Sequence, residues 1–244
     1  MIIYNTIMAL AVGAALLTLI QFGRTVLTGE PNPTGTIAGR ASLDGYSLIF
    51  GILGVILTVT GLHMTLTWPL NALPFDNIIF GEPSLAFGLL LLAASFYIWS
   101  RRSELAEMPD PGVHLAQVLG PFRFWFIGLG LALIAVFFVG NIFQLFAAPP
   151  HEPISGAFAQ WPWLEAFIIS GLYGINGLAL VLLPTALKST ASQSPDSGAV
   201  RPSGLLRAVG WMLAVPGVFW LLFGALNYYT HVGMISNEIE MGLR

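Results

Sequence analysis

The chain has 244 residues, of which 56% are hydrophobic and only 9% are charged. A soluble domain carries roughly 25% charged residues, so these side chains are too few to cover a water-facing surface, and lipid must solvate most of the exterior. The net charge of -3, with no long run of Lys or Arg, excludes nucleic-acid binding, and the absence of cysteine excludes disulfides, thiolate metal sites and a catalytic thiol.

Six apolar segments of about 20 residues follow one another along the chain, each bounded by polar or Pro- and Gly-rich sequence. They cover residues 2–22, 46–67, 83–100, 122–146, 164–187 and 207–229. The first has no basic residue before it and no small-residue cleavage signal, so we interpret it as a membrane helix rather than a signal peptide. The sequence therefore predicts one integral membrane domain over residues 1–244, an all-α polytopic transmembrane helix bundle with six spans.

The basic residues predict the orientation of this bundle, because Lys and Arg near span ends are retained in the cytoplasm. All but Arg244 lie in or beside the first, third and fifth loops. They are Arg24, Arg40, Arg101, Arg102, Arg123, Lys188, Arg201 and Arg207. These three loops are therefore predicted to be cytoplasmic, with the second loop, the fourth loop and both termini outside. The Ser- and Pro-rich residues 188–204 are predicted to form a flexible cytoplasmic loop.

Histidines and carboxylates share the predicted outer face. The histidines there are His63, His151 and His231, and the nearby carboxylates include Asp76, Glu82 and Glu152. His63 is the most informative, because it lies within an apolar helix about one turn below the interface, where an ionisable residue is by default a functional hypothesis. The alternative is a neutral His63 that bonds to a backbone carbonyl, Thr60 or Thr67 at helical spacing.

Glu82 opens the third predicted span, directly before Pro83. A short hairpin returns the chain between the two spans, so His63 and Glu82 are expected at similar depths on adjacent helices, where they could bind a cofactor or ion. The alternative is that Glu82 caps the free N–H groups of the helix that Pro83 begins.

A metal site is the most specific hypothesis for the outer face. It joins His63, Glu82, His151 and His231 as nitrogen and oxygen ligands, a set suited to copper, zinc or iron. None of the spacings matches a known ligand motif. A haem b near the outer surface, held by His63 with His231 or Met64, is the weaker alternative, because a single histidine lies within a span.

Three classes of function stay open on these observations. With no phosphate-binding loop, nucleophile arrangement or dinucleotide fingerprint, we first expect a non-catalytic subunit or accessory protein of a larger membrane complex, respiratory or otherwise redox. Its outer-face site would hold an ion, a lipid or a partner, which is another membrane protein or a second copy. The alternatives are a metal- or haem-containing redox protein and a small transporter or channel, although the spans carry no charged residue at the bilayer centre, where coupled carriers place one.

The segment GLHMTLTWPL, followed by NIIFGEPSLAFGLLLL, resembles a family of bacterial and archaeal membrane proteins known as domain of unknown function 981. The close similarity covers residues 61–92, and a looser one continues to EPISG at 152–156, about two thirds of the chain. The resemblance implies a multi-pass protein of a prokaryotic cell membrane in which His63 to Glu82 is one unit. It names no activity, and it leaves the sixth span and His231 without support.

Overall fold

The computed structural model describes residues 5–28, 40–71, 73–193 and 202–243. Within these ranges the chain is helical and contains no strand. The helices are α1 (Asn5–Thr28), α2 (Arg40–Thr67), α3 (Phe75–Glu107), α4 (Pro111–Val118), α5 (Arg123–Ile142), α6 (Pro162–Ala191) and α7 (Gly204–Glu240). Among the described residues, six helical segments are long and apolar enough to cross a membrane, with α4 and α5 joined in one segment, Pro111–Ile142. The predicted all-α, six-span architecture is confirmed.

The third helix begins earlier than the sequence predicts. We expected a start at Pro83, but α3 begins at Phe75 and carries Pro83 in its interior. A proline inside a helix cannot donate to the carbonyl four residues earlier, which here belongs to Ile79. The hydroxyl of Tyr173 on α6 donates to this Ile79 oxygen at 3.5 Å, so a contact between helices replaces the missing hydrogen bond.

The last helix also exceeds its predicted span. The Ser203 side chain caps its beginning by accepting from the N–H of Leu206 at 3.1 Å, and α7 then continues to Glu240. His231 therefore lies on a helix rather than after one. The predicted flexible loop 188–204 begins within α6, and residues 194–201 of that loop lie outside the described residues.

Glycines bring three antiparallel helix pairs into close contact. In the α2–α3 pair, a Cβ on Gly61 would lie 2.5 Å from the backbone nitrogen of Leu85, and one on Gly88 would lie 2.5 Å from that of Thr58. Such close backbone approach is the usual way in which membrane helices pack, because lipid provides no hydrophobic force between them.

The same contact occurs in the other two pairs. Gly177 of α6 packs on the carbonyl of Gly130 in α5, and Gly13 of α1 packs on the backbone of Leu221 in α7. The α1–α7 pair joins the first and last helices of the chain. The end of α7 also lies beside the loop between α5 and α6, where a Cβ on Gly233 would lie 2.5 Å from the Pro153 side chain.

Candidate functional site

His63 and Glu82 lie at the same level of the α2–α3 pair. Gly61 of α2 packs against Leu85 of α3, and Gly81 of α3 packs against Met64 of α2. Because the two helices are antiparallel, these contacts place His63 of α2 opposite Glu82 of α3. Both residues are exposed rather than turned into the helix contact, so they are available to a molecule outside this chain.

The local contacts of His63 involve the last residue of its own helix. The Thr67 hydroxyl donates to the His63 carbonyl at 2.7 Å and lies 3.3 Å from the imidazole Nε2. Thr60, the other predicted neighbour, instead donates to the carbonyl of Ile56. The imidazole therefore lies beside the Thr67 hydroxyl at the end of α2, on the exposed face of that helix.

Two histidine–glutamate pairs connect the α5–α6 loop to the end of α7. His151 Nε2 lies 3.2 Å from Glu238 Oε1, and His231 Nε2 lies 3.8 Å from Glu152 Oε1. The two loop residues are adjacent in sequence, and their partners are seven residues apart, about two turns on one face of α7. We call these four residues the crossed pairs. In addition, the Asn237 amide donates to the His151 carbonyl at 2.7 Å.

Contacts within the α5–α6 loop, and one with α6, stabilise its conformation. The N–H of Glu152 bonds to the carbonyl of Pro149 at 3.0 Å, and Ile154 adopts a φ of 70°, in the left-handed region that disfavours a branched side chain. The N–H of Ala148 donates to the Glu165 carboxylate of α6 at 2.7 Å. The loop is therefore anchored to α6 at its start and to α7 at its centre.

Asp76 is a buried carboxylate, whereas the sequence predicts it in an outer loop. Because α3 starts at Phe75, Asp76 lies in its first turn and is only 5% exposed. Pro74 before an acidic first turn is a helix-start signal that could have located it.

Asn77, the next residue, holds the α2–α3 hairpin closed. Its side chain is fully buried, accepts from the N–H of Leu70 and donates to the carbonyl of Leu70, both at 3.1 Å. Asn77 therefore ties the first turn of α3 to Leu70, which follows the end of α2.

Residues 1–234 match the family model described as "Protein of unknown function (DUF981)". The chain belongs to this family. The match extends well beyond residue 156, so the family includes the sixth span and His231, which the resemblance alone leaves without support. No curated protein and no solved structure matches the chain.

The predicted metal ligands of this DUF981 protein fall into pairs. Among the described residues, no group of three or more His, Asp or Glu side chains is placed to hold a metal ion. His151 and His231 are each beside one glutamate, whereas His63 and Glu82 lie on the α2–α3 pair. A copper, zinc or iron site on these four residues, or a haem b on His63, stays a prediction.

Proposed function

We propose that this DUF981 protein is a non-catalytic subunit or accessory protein of a larger membrane assembly, and that it docks a transmembrane helix of a partner protein on the outward face of α2–α3. The observation that carries the proposal is the exposure of His63 and Glu82 at one level of this hairpin. We include in this proposal that the assembly is respiratory or otherwise redox.

Ionisable side chains are costly near lipid, so they usually face the interior of a helix bundle or a water-filled cavity. His63 lies one turn before the end of α2 but on its outward face, beside the exposed Leu62 and Leu66. A partner helix would cover the imidazole and supply a hydrogen bond between helices.

The outward face of α2 offers a regular apolar surface for such a helix. Exposed side chains recur along it at intervals of four and three residues, the spacing with which two helices pack knobs into holes. These side chains are Leu48, Ile52, Val55, Val59, Leu62 and Leu66. His63 lies between Leu62 and Leu66, near the end of this surface, so the apolar contact would include one polar contact near one end. Such an arrangement would fix the register of the partner, as a single polar position does in coiled coils.

Photo-crosslinking in native membranes tests the proposal. A photoreactive amino acid at Leu66, which is 71% exposed, is expected to capture one defined membrane protein. The adduct should be lost in a His63→Leu/Glu82→Gln double variant and retained in Glu104→Gln, an exposed acid at the other end of α3. Lipid adducts alone, or an adduct that the double variant leaves unchanged, would overturn the proposal. An adduct with a second copy of the chain would show that this face forms a homo-oligomer and does not bind a different protein.

A further inference from the structure

Asp76 is a buried carboxyl group without a polar partner. It lies in the first turn of α3 and is 5% exposed. Among the described residues, its side chain forms no hydrogen bond and no ion pair. Its neighbour Asn77 is also buried, but that amide accepts from the N–H of Leu70 and donates to the carbonyls of Leu70 and Pro74, each at 3.1 Å. Buried polar side chains normally have such partners, so Asp76 requires another explanation.

The backbone at the start of α3 does not supply the missing donors. The N–H groups of Asp76 and Asn77 already donate to the carbonyls of Leu73 and Pro74, at 3.0 and 3.2 Å. Ile79, three residues after Asp76 and on the same side of α3, packs in an apolar cluster with residues of α1, α5, α6 and α7. This side of α3 is therefore apolar at its outer end, and its nearest backbone donors are already in use.

No basic side chain of the described ranges is placed to neutralise an ionised Asp76. The histidines at this end of the bundle are exposed, in the case of His63, or beside a glutamate, in the case of His151 and His231. An ionised Asp76 would therefore be a buried charge without a counter-ion, which is costly in an apolar environment. Every described Lys and Arg lies at the end of its helix that is predicted to be cytoplasmic. These residues are Arg24, Arg40, Arg101, Arg102, Arg123, Lys188 and Arg207.

The other acidic groups on the helices around Asp76 are hydrogen-bonded, exposed or distant. The Tyr173 hydroxyl of α6 donates to the Ile79 carbonyl, and the Glu165 carboxylate of α6 accepts from the N–H of Ala148. Glu82, six residues further along α3, is exposed. A change of protonation on the buried side of α3 therefore falls on Asp76. The remaining acidic residues of α2 and α3 lie at the predicted cytoplasmic end and are Asp44, Tyr46, Tyr97, Glu104 and Glu107.

We infer that Asp76 is a proton-binding site, occupied as a neutral carboxylic acid in the closed structure, and that loss of the proton opens the outer end of α3 from α6. Protonation removes the charge and with it most of the cost of burial. Among the described residues Asp76 belongs to no group of three or more potential metal ligands, so a proton suits it better than a metal ion. The ionised form needs water, which reaches it when α3 separates from Tyr173. This site is on the buried side of α3 and is independent of the partner surface on α2.

Infrared spectroscopy of the purified full chain tests the proton site, because a protonated carboxyl group absorbs at a different frequency from a carboxylate. At neutral pH, Asp76→Asn should lose the intensity of one protonated carboxyl group relative to the wild-type chain. The introduced amide keeps the shape and neutrality of the protonated acid, so this variant is expected to fold. Glu82→Gln removes an exposed carboxyl group from the same helix and should leave the band unchanged. An unchanged band in Asp76→Asn would overturn the inference.

Hydrogen exchange measured by mass spectrometry tests the opening of α3. Backbone amides of residues 75–82 should exchange faster in alkaline than in neutral solution, after correction for the intrinsic rate of exchange. This acceleration should be lost in Asp76→Asn and retained in Glu82→Gln. Equal acceleration in the wild-type chain and in Asp76→Asn would overturn the proposed opening, since another group would then cause it. No acceleration in the wild-type chain at an alkaline pH that removes the Asp76 carboxyl band would also overturn it.

Discussion

The Tyr173 hydroxyl donates to the Ile79 carbonyl at 3.5 Å, the carbonyl that Pro83 leaves without its helical donor. The tyrosine ring is also fixed, since it stacks on Phe146 and meets Trp220 edge-on. α6 thereby stabilises an early start of α3, and this start places Asp76 and Asn77 on a helix.

Tyr173→Phe tests this contact, because it removes the hydroxyl and keeps the ring. We expect the free energy of unfolding in detergent to fall by about 0.6 kcal/mol, the average for hydrogen bonds between membrane helices. In a Pro83→Ala background the loss should shrink, because the introduced alanine supplies the backbone N–H that Ile79 accepts. Tyr229→Phe, at an exposed tyrosine of α7, is the control. Equal losses with and without Pro83 would disprove the compensation.

The crossed pairs are expected to hold the α5–α6 loop on α7. Replacing Glu238 with Gln weakens the contact to His151, so backbone amides of residues 148–160 should exchange hydrogen faster in mass-spectrometric measurements. Glu240→Gln changes the same charge two residues later at an exposed position and should leave the loop unaffected. Unchanged exchange in Glu238→Gln would show that Asn237 and Glu165 suffice to hold the loop.

Replacing glycine with alanine should destabilise the protein at Gly88, in the α2–α3 contact. The same replacement should not destabilise it at a glycine that has open space around it. Gly88→Ala places a methyl group 2.5 Å from the Thr58 backbone nitrogen, and overpacking of this kind typically costs about 1–3 kcal/mol. A Cβ on Gly128 of α5 meets nothing within 4 Å, so Gly128→Ala should be neutral or stabilising. Thermal unfolding of both variants in one detergent measures the difference, and equal Tm values would contradict the close contact.

The redox alternative has its own test in the purified protein. The accessory-subunit account predicts no haem absorption band and less than one equivalent of copper, zinc or iron per chain. One equivalent of metal that is lost in both His63→Ala and His151→Ala would instead support the metal site on His63, Glu82, His151 and His231.

Hydropathy predicts the six spans, because a span needs only length and apolar composition. It does not locate the start of α3, since Pro83 next to Glu82 locally resembles a first helical turn. The contact that compensates for Pro83 comes from Tyr173, which is 94 residues from the Ile79 carbonyl that it bonds. Nor does the sequence predict the partners of His151 and His231, because these pairs depend on the packing of the α5–α6 loop against α7, about 80 residues later, which no local pattern encodes. The outward exposure of His63 likewise required the structure.

The most direct measurement of the partner proposal is the mass of single particles extracted from native membranes in lipid nanodiscs without detergent. The account predicts that the wild-type chain is found in particles with a second protein, and that the His63→Leu/Glu82→Gln variant is found alone at the mass of one chain. A wild-type chain found alone, indistinguishable from this variant, would contradict the proposal.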